Sequence, residues 1–475
     1  MPRDHFYRLH HVRPRFKNDV ESVLLFMCQR ITNLQPQKTS DFEKSLFSLI
    51  QTYPGNLQKA DKTNHNWRTE ISALFGLVVR EGWHSSPGFY AGLLARNEDL
   101  IEFFRYFLLT FQYPGGHIKP NRVAQQIEAG IRFHPAKFIV DLFVEGQRIL
   151  DDTKQFSISS AELTALVFND LRVTATKELG PNQIARTILE NRAKRVDYDQ
   201  TGDVVRYAQD ILDYMVLADL LVKRPSTNSY YVKAQGQEAA LKISQRAPGF
   251  AGYDPLYQNG PVDTKDVAAL EEDWFKFVNE DRQSEAFVGD ILSILETDDE
   301  TFNLKVEELV EGLRRALIGD ARDIGRAGES VAIGHEVRRL TDLNRAELAK
   351  KVRKIPDHLG VGYDLLSFEG IVEEEFGDVN RYIEVKTTRS KSRLRSTSFT
   401  LTPNEWSAAR SLRDTYFIYR IIISEGDLRM FVIRNPYELE RSGAIQMTPR
   451  NGAEITYTEE AGFWEEILVA KQNAA

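Results

Sequence analysis

Tyr382-Ile383-Glu384-Val385-Lys386 is the stretch on which the reading of the chain turns. Apolar and charged residues alternate in it, and the run is β-branched and aromatic rather than helix-forming, which predicts a β-strand. A period of two places Glu384 and Lys386 on one face and Ile383 and Val385 on the other. One face is therefore expected in a core, while the other presents a carboxylate beside an ammonium. Upstream, Val361-Gly362-Tyr363-Asp364-Leu365-Leu366-Ser367-Phe368 reads as a second strand opened by a Gly-rich turn, with Asp364 near its start. The polar, acidic connection from Glu369 to Asn380 carries Gly370 and Gly377 as turn residues, so a hairpin-like pair is expected. That pairing brings Asp364 close to Glu384 and Lys386. Two carboxylates and a lysine at the head of a sheet can hold a divalent ion, because carboxylate oxygens are hard ligands of the kind Mg²⁺ prefers. Such an ion lowers the pKa of its water and offsets charge on a phosphate, and the lysine can orient or activate the nucleophile.

The order Glu329, Asp364, Glu384-Val385-Lys386 resembles the PD-(D/E)XK nuclease superfamily. More narrowly, residues ~325–435 are similar to the nuclease-like domain named for the plant NO VEIN protein, found also in bacterial defence and restriction systems. The residues that carry the resemblance are Gly325-Arg326-Ala327-Gly328-Glu329, Gly362-Tyr363-Asp364-Leu365-Leu366-Ser367-Phe368, Tyr382-Ile383-Glu384-Val385-Lys386-Thr387-Thr388, Asn404-Glu405 and Tyr419-Arg420. Tyr363 stands where the superfamily's name has proline. The resemblance implies an α/β restriction-endonuclease-like domain, a mixed sheet flanked by helices. It implies Mg²⁺ (or Mn²⁺) held by Asp364, Glu384 and Glu329, with Lys386 completing the catalytic set and Glu405 as an accessory residue. Taken singly, Asp364 is a turn-capping Asp, and Glu384 with Lys386 a cross-strand pair contributing ~0.2–1 kcal/mol. The joint pattern carries the catalytic reading.

Composition bounds the remainder. The chain has 475 residues, 42% hydrophobic and 27% charged, as in ordinary globular proteins of several domains. Its one cysteine, Cys28, excludes a disulfide framework or a multi-cysteine zinc site and suits a reducing cytoplasm. No apolar run approaches the ~20 residues that span a bilayer. The net charge of −8 is not that of a simple nucleic-acid coater, so a nucleic-acid reading rests on local basic stretches. One is Arg389, Lys391, Arg393 and Arg395; the other includes Lys350, Lys351, Arg353 and Lys354. Both flank the acidic set in sequence, where phosphate contacts give affinity without sequence information.

In chain order, residues 1–125 read as a helical region, with helices at Asp19–Leu34, Ser40–Gln51, Asn66–Gly82 and Asp99–Phe111. Residues 126–250 read as winged-helix-like. Helices Pro135–Leu150, Ser159–Asn169 and Pro181–Ala193 are followed by the unit Asp203–Leu217, strand Leu220–Lys223 and strand Tyr230–Lys233. This arrangement resembles the recognition half of some restriction endonucleases, although winged helices also serve as partner-contact modules. A turn-rich stretch at 246–263 is the expected domain boundary, 262–318 a helical bridge, and 319–475 the nuclease-like domain. The expectation is a cytoplasmic, multidomain, Mg²⁺-dependent DNA endonuclease of restriction or anti-phage defence. Double-stranded DNA is its main partner, with a homodimer and a defence-system partner protein left open. The alternatives are a non-catalytic DNA-binding protein with a nuclease-like domain, and an RNA nuclease.

Overall fold

The computed structural model describes residues 5–9, 16, 19–54, 56, 64–65, 67, 70–150, 154–199, 203–224, 227–233, 236–258, 260–282, 324–373, 377–392, 394, 398–425, 427–450 and 452–468. The chain divides into two compact units, Met1–Ala95 with Leu100–Val288, and Arg96–Asp99 with Gly289–Ala475. No helix among the described residues is long and apolar enough to cross a membrane.

The first unit is mainly helical. Helices Val20–Ile31, Thr39–Gln51, Leu100–Thr110, Pro135–Ile149, Pro181–Ala193 and Asp203–Leu217 lie where periodicity and capping place them. Leu100–Thr110 is apolar on nearly every side and buries Phe103, Phe104, Tyr106 and Leu108. The expected helix Asn66–Gly82 is helical only in its first part, at Trp67 and Glu70–Leu74, and its last part is strand. A single π-helical turn, Glu70–Leu74, precedes a sheet of β1 (Gln37–Lys38), β2 (Val78–Glu81) and β3 (His84–Pro87), in the order β1-β3-β2. Gly82 has φ +57° at the β2–β3 turn. A glycine closing a helix and a glycine turning a hairpin use the same left-handed backbone, so the residue marks a stop without naming the element. A second sheet contains β4 (Ile158–Ser159), β5 (Leu221–Arg224) and β6 (Ser229–Val232), in the order β4-β6-β5. Ser159 and Glu162 form the expected capping box. Beyond the turn-rich stretch, helices Thr264–Ala269 and Glu271–Val278 bury Val267 and Trp274 against Ile118, Val123 and Phe250. The first unit therefore continues past 246–263, and the start of the expected bridge belongs to it. Residues 283–318 of that bridge lie outside the described residues.

Strands of the second unit are β7 (Arg353–Lys354), β8 (Leu365–Glu373), β9 (Gly377–Arg389), β10 (Ser398–Leu401), β11 (Tyr416–Ser424), β12 (Asp427–Arg434), β13 (Ile445–Arg450), β14 (Gly452–Tyr457) and β15 (Phe463–Glu465). Six form a mixed sheet in the order β15-β12-β11-β9-β8-β7, with β9 and β11 parallel and the other pairs antiparallel. β8 and β9 run on to Glu373 and Gly377, so most of the expected connection is strand, with Gly370 (φ +82°) in the irregular step between Phe368 and Val372. β10 does not join this sheet; it pairs with β14 in a second sheet, β10-β14-β13. Both faces of the main sheet are covered. Ile383 and Val385 pack with Ala327 and Val331 of the helix Ile324–Asp342. Tyr416 and Ile418 pack with Ala408 and Ala409 of the helix Pro403–Leu412.

Candidate active site

β9 lies between two neighbours in the main sheet, β8 and β11, and the site is built at that position. Asp364 immediately precedes β8. Its backbone N–H donates to Ile383 O (2.9 Å), and its Oδ2 accepts from the Val385 backbone N–H (2.8 Å). The carboxylate is thus pinned to β9 beside Glu384. Gly362, two residues earlier, has φ +82°, and a Cβ there would collide with the Asn404 carbonyl. The close approach to the helix Pro403–Leu412 therefore requires glycine. Tyr416 Oη fixes the same turn by donating to Gly362 O (2.9 Å).

Glu384 and Lys386 share a face, as the alternation predicts, but that face is covered rather than open. Glu384 is 3% exposed. Lys386 Nζ lies 2.8 Å from Glu384 Oε1 and 2.9 Å from Glu405 Oε2. Glu405 also accepts from the Thr402 backbone N–H (2.9 Å), closing a capping box at the start of its helix. The accessory residue thus reaches the lysine while capping its own element. Glu329 lies on the helix Ile324–Asp342, in its second described turn. Its Oε2 is 2.5 Å from Lys354 Nζ.

Electrostatics follow from this crowding. Burial pushes the Glu384 carboxyl well up, and Asp364 and Glu405 add to the rise against Lys386. Burial likewise raises Asp364, opposed by the Val385 N–H and Lys386. Glu329 is raised by burial, with Lys354 opposing. Glu405 moves the other way: despite burial, Lys386 and the Thr402 contacts hold it low. Lys386 is raised because Glu384 and Glu405 outweigh its desolvation, so it stays an ammonium. Carboxyls pushed up by burial and mutual repulsion are stabilised by an added cation. The oxygen donors of Asp364 and Glu384 fit a hard divalent ion. Among the described residues, no three His, Cys, Asp or Glu side chains are grouped so as to hold a metal. Asp364, Glu384, Lys386 and Glu405 come together; Glu329 is drawn to Lys354 instead.

The basic stretches divide. Lys350, Lys351 and Arg353 are exposed. Arg389 and Lys391 do not form the expected open basic loop. Arg389 is 4% exposed and paired with Asp99 of the same unit, and Lys391 is paired with Glu425 (2.8 Å). A buried charge requires such a partner, which removes it from the phosphate-facing surface. Arg393 and Arg395 lie outside the described residues.

One buried carboxylate that anchors the site's framework escaped the sequence reading. Glu336 is fully buried two turns beyond Glu329 and accepts from Arg339 Nη2 (2.7 Å), Ser367 Oγ (2.5 Å) and Tyr419 Oη (2.7 Å). It ties the helix to β8 and β11. Its spacing of seven from Glu329, on the same helical face, was the available signal.

Comparison with known proteins agrees with this division. Residues 328–433 match the family model described as protein NO VEIN, C-terminal. No curated protein matches the chain. A solved structure described as pyrene- and phenanthrene-modified DNA in complex with the BpuJ1 endonuclease binding domain is similar in fold. Its TM-score is 0.51 and its identity 20%, over 59% of this chain and 99% of that one. Residues 1–275 match the model described as restriction endonuclease BpuJI, N terminal, and since that match spans more than half of the 475 residues, the chain belongs to this family.

Proposed function

We propose that this protein is a Mg²⁺-dependent DNA endonuclease in which the N-terminal region reads double-stranded DNA and the C-terminal unit hydrolyses phosphodiester bonds. The observation that carries the reading is the pinning of Asp364 beside Glu384 and Lys386 on β9. The PD-(D/E)XK resemblance and the match to a restriction-endonuclease family support it. Asp364 and Glu384 would hold the ion, with Mn²⁺ as a substitute. When bound, the ion lowers the pKa of a water and offsets phosphate charge. Lys386 stays protonated, so its role is to donate to and orient the attacking water or the phosphate, not to act as a base. Glu405 keeps that ammonium in place. Lys350, Lys351 and Arg353 neutralise nearby phosphates, which predicts affinity that falls steeply with salt. In the N-terminal region, helix Asp203–Leu217 with the β4-β6-β5 sheet is read as winged-helix material able to present a helix to a major groove. Restriction or anti-phage defence in the cytoplasm is the setting.

A second reading, a DNA-binding protein whose nuclease-like domain does not cut, is favoured by the burial and ion pairing of Glu384. Incubating the full-length protein with plasmid, phage DNA and RNA, with Mg²⁺ or EDTA, separates these readings. Mg²⁺-dependent cutting of DNA alone is expected. Binding without cutting favours the second reading, and cutting of RNA alone an RNA nuclease.

A further inference from the structure

Resting on the DNA-reading role given above to the N-terminal region, we propose that the helix entering the major groove is Pro181–Ala193, and that Arg186 is its base-reading side chain. Periodicity divides this helix into two faces. Ile184, Ala185 and Ile188 are buried, while Gln183, Arg186 and Glu190 are exposed. The helix packs on Pro135–Ile149. Its last turn is fastened beside β4, where Arg192 donates to Glu162 Oε1 (2.7 Å) and to Ser157 O (2.9 Å). Arg186 lies in the second turn, within the N-terminal part that base-reading helices turn toward base edges.

Charge separates this helix from Asp203–Leu217. From Pro181 to Arg195 the basic residues are Arg186, Arg192, Lys194 and Arg195 and the one acid is Glu190, a formal +3. Asp203–Leu217 carries Asp203, Asp210 and Asp213 against Arg206, a formal −2. Its acids also belong to the scaffold. Asp210 is buried, and Asp213 accepts from Tyr230 Oη (2.7 Å) with Lys223 Nζ 3.4 Å away. A helix in the groove runs between two rows of phosphates, which repel net negative charge and attract the basic helix. Arg186 is also held in advance. Asn182 Nδ2 donates to Glu145 Oε2 (2.7 Å), and Asn182 Oδ1 accepts from Arg186 Nε (3.0 Å). Arg148 Nη1 lies 3.8 Å from the other Glu145 oxygen. The relay engages Nε of an exposed guanidinium and leaves its Nη1 and Nη2 donors for a base. Guanine matches that fork, because its O6 and N7 are adjacent acceptors in the major groove. A fork restrained before binding loses little freedom on contact.

The test selects short random DNA duplexes on the full-length protein in EDTA. The selected duplex and a scrambled one then serve as probes in fluorescence anisotropy. Arg186→Ala is expected to lose on the order of 10–100-fold in affinity for the selected duplex, with binding to the scrambled duplex unchanged. Selection on Arg186→Ala should lose the guanine preference at one position. Selection on Arg186→Gln should move that preference toward adenine, which an amide reads, and a merely structural role for Arg186 would not produce such a switch. Asn182→Ala should weaken the same preference without touching scrambled-duplex binding. Arg195→Ala should weaken both probes alike and lower the salt slope by about one. The proposal is overturned if Arg186→Ala and Arg186→Gln both select the wild-type sequence, or if Arg206→Ala on Asp203–Leu217 erases the preference instead. The glutamine variant decides the matter even if the alanine variant fails to fold. Wild-type protein that binds no duplex, or binds all duplexes alike, rejects the DNA-reading role itself and this proposal with it.

Discussion

At the scale of residues, Lys386 separates the possible roles most sharply. Two carboxylates hold it charged, at 2.8 and 2.9 Å, which removes it as a proton acceptor and leaves it as a fixed donor. Lys386→Met is therefore expected to lower cleavage on the order of 10²–10³-fold, as for the loss of one preorganised donor, with DNA binding retained. Plasmid nicking beside a gel-shift titration measures both. Asp364→Asn is expected to abolish cleavage, since it removes a proposed ligand while the amide oxygen can still accept from Val385. Full activity in that variant contradicts the site assignment. Alternation alone revealed which residues share a face with Glu384. It could not reveal that this face is closed by the helix Pro403–Leu412, because that contact depends on Gly362 and the distant Asn404. Nor did it show Lys354 taking Glu329, which needs the register of a two-residue edge strand.

Elements whose signals are local were legible from sequence. Pro181–Ala193 and Asp203–Leu217 fall where period and punctuation put them. Elements defined by distant pairing were not. β10 has the alternation of a strand, but which sheet it enters is decided by β14, some fifty residues later, through pairs such as Phe399 with Ile455. The helix Ile324–Asp342 also depends on remote partners, since Glu336 anchors it through Arg339, Ser367 and Tyr419. Despite burial, Arg339, Arg381 and Ser367 hold the Glu336 carboxyl below its usual range, so it is charged at neutral pH. Truncating it leaves buried guanidinium charge uncompensated. Glu336→Ala is accordingly expected to destabilise the second unit by roughly 3–5 kcal/mol, and Glu336→Gln by less, since an amide still accepts hydrogen bonds. Urea denaturation of both variants checks this; a change below about 1 kcal/mol in the alanine variant would show the network to be dispensable.

For the whole molecule, the two compact units have separate cores, and they also differ in how protons act on them. In the first unit, burial holds His117 down to about 3 and His134 to about 4, from an ordinary value of 6.5. The hydrogen bond of His134 Nε2 to Leu109 O (2.8 Å) opposes this lowering, while the nearby Lys137 charge adds to it. Both rings are therefore neutral when folded. Below pH 6.5 the unfolded chain binds protons that the folded unit does not, so stability falls as pH falls. Each histidine contributes a slope of up to about 1.4 kcal/mol per pH unit, from pH 6.5 down to its own folded value. In the second unit, Glu329, Asp364 and Glu384 are raised and favour the folded state as pH falls, while Glu336 and Glu405 are lowered from 4.5 and lose stabilisation only below that value, outside the range from pH 7 to pH 5. Scanning calorimetry between pH 7 and pH 5 should thus show one transition moving down markedly and another moving less. His117→Phe removes one proton site and keeps an aromatic ring beside Phe111 and Tyr113, so it should flatten the pH dependence of the first transition alone. Equal shifts of both transitions in wild type, or an unchanged slope in His117→Phe, would place the acid sensitivity elsewhere.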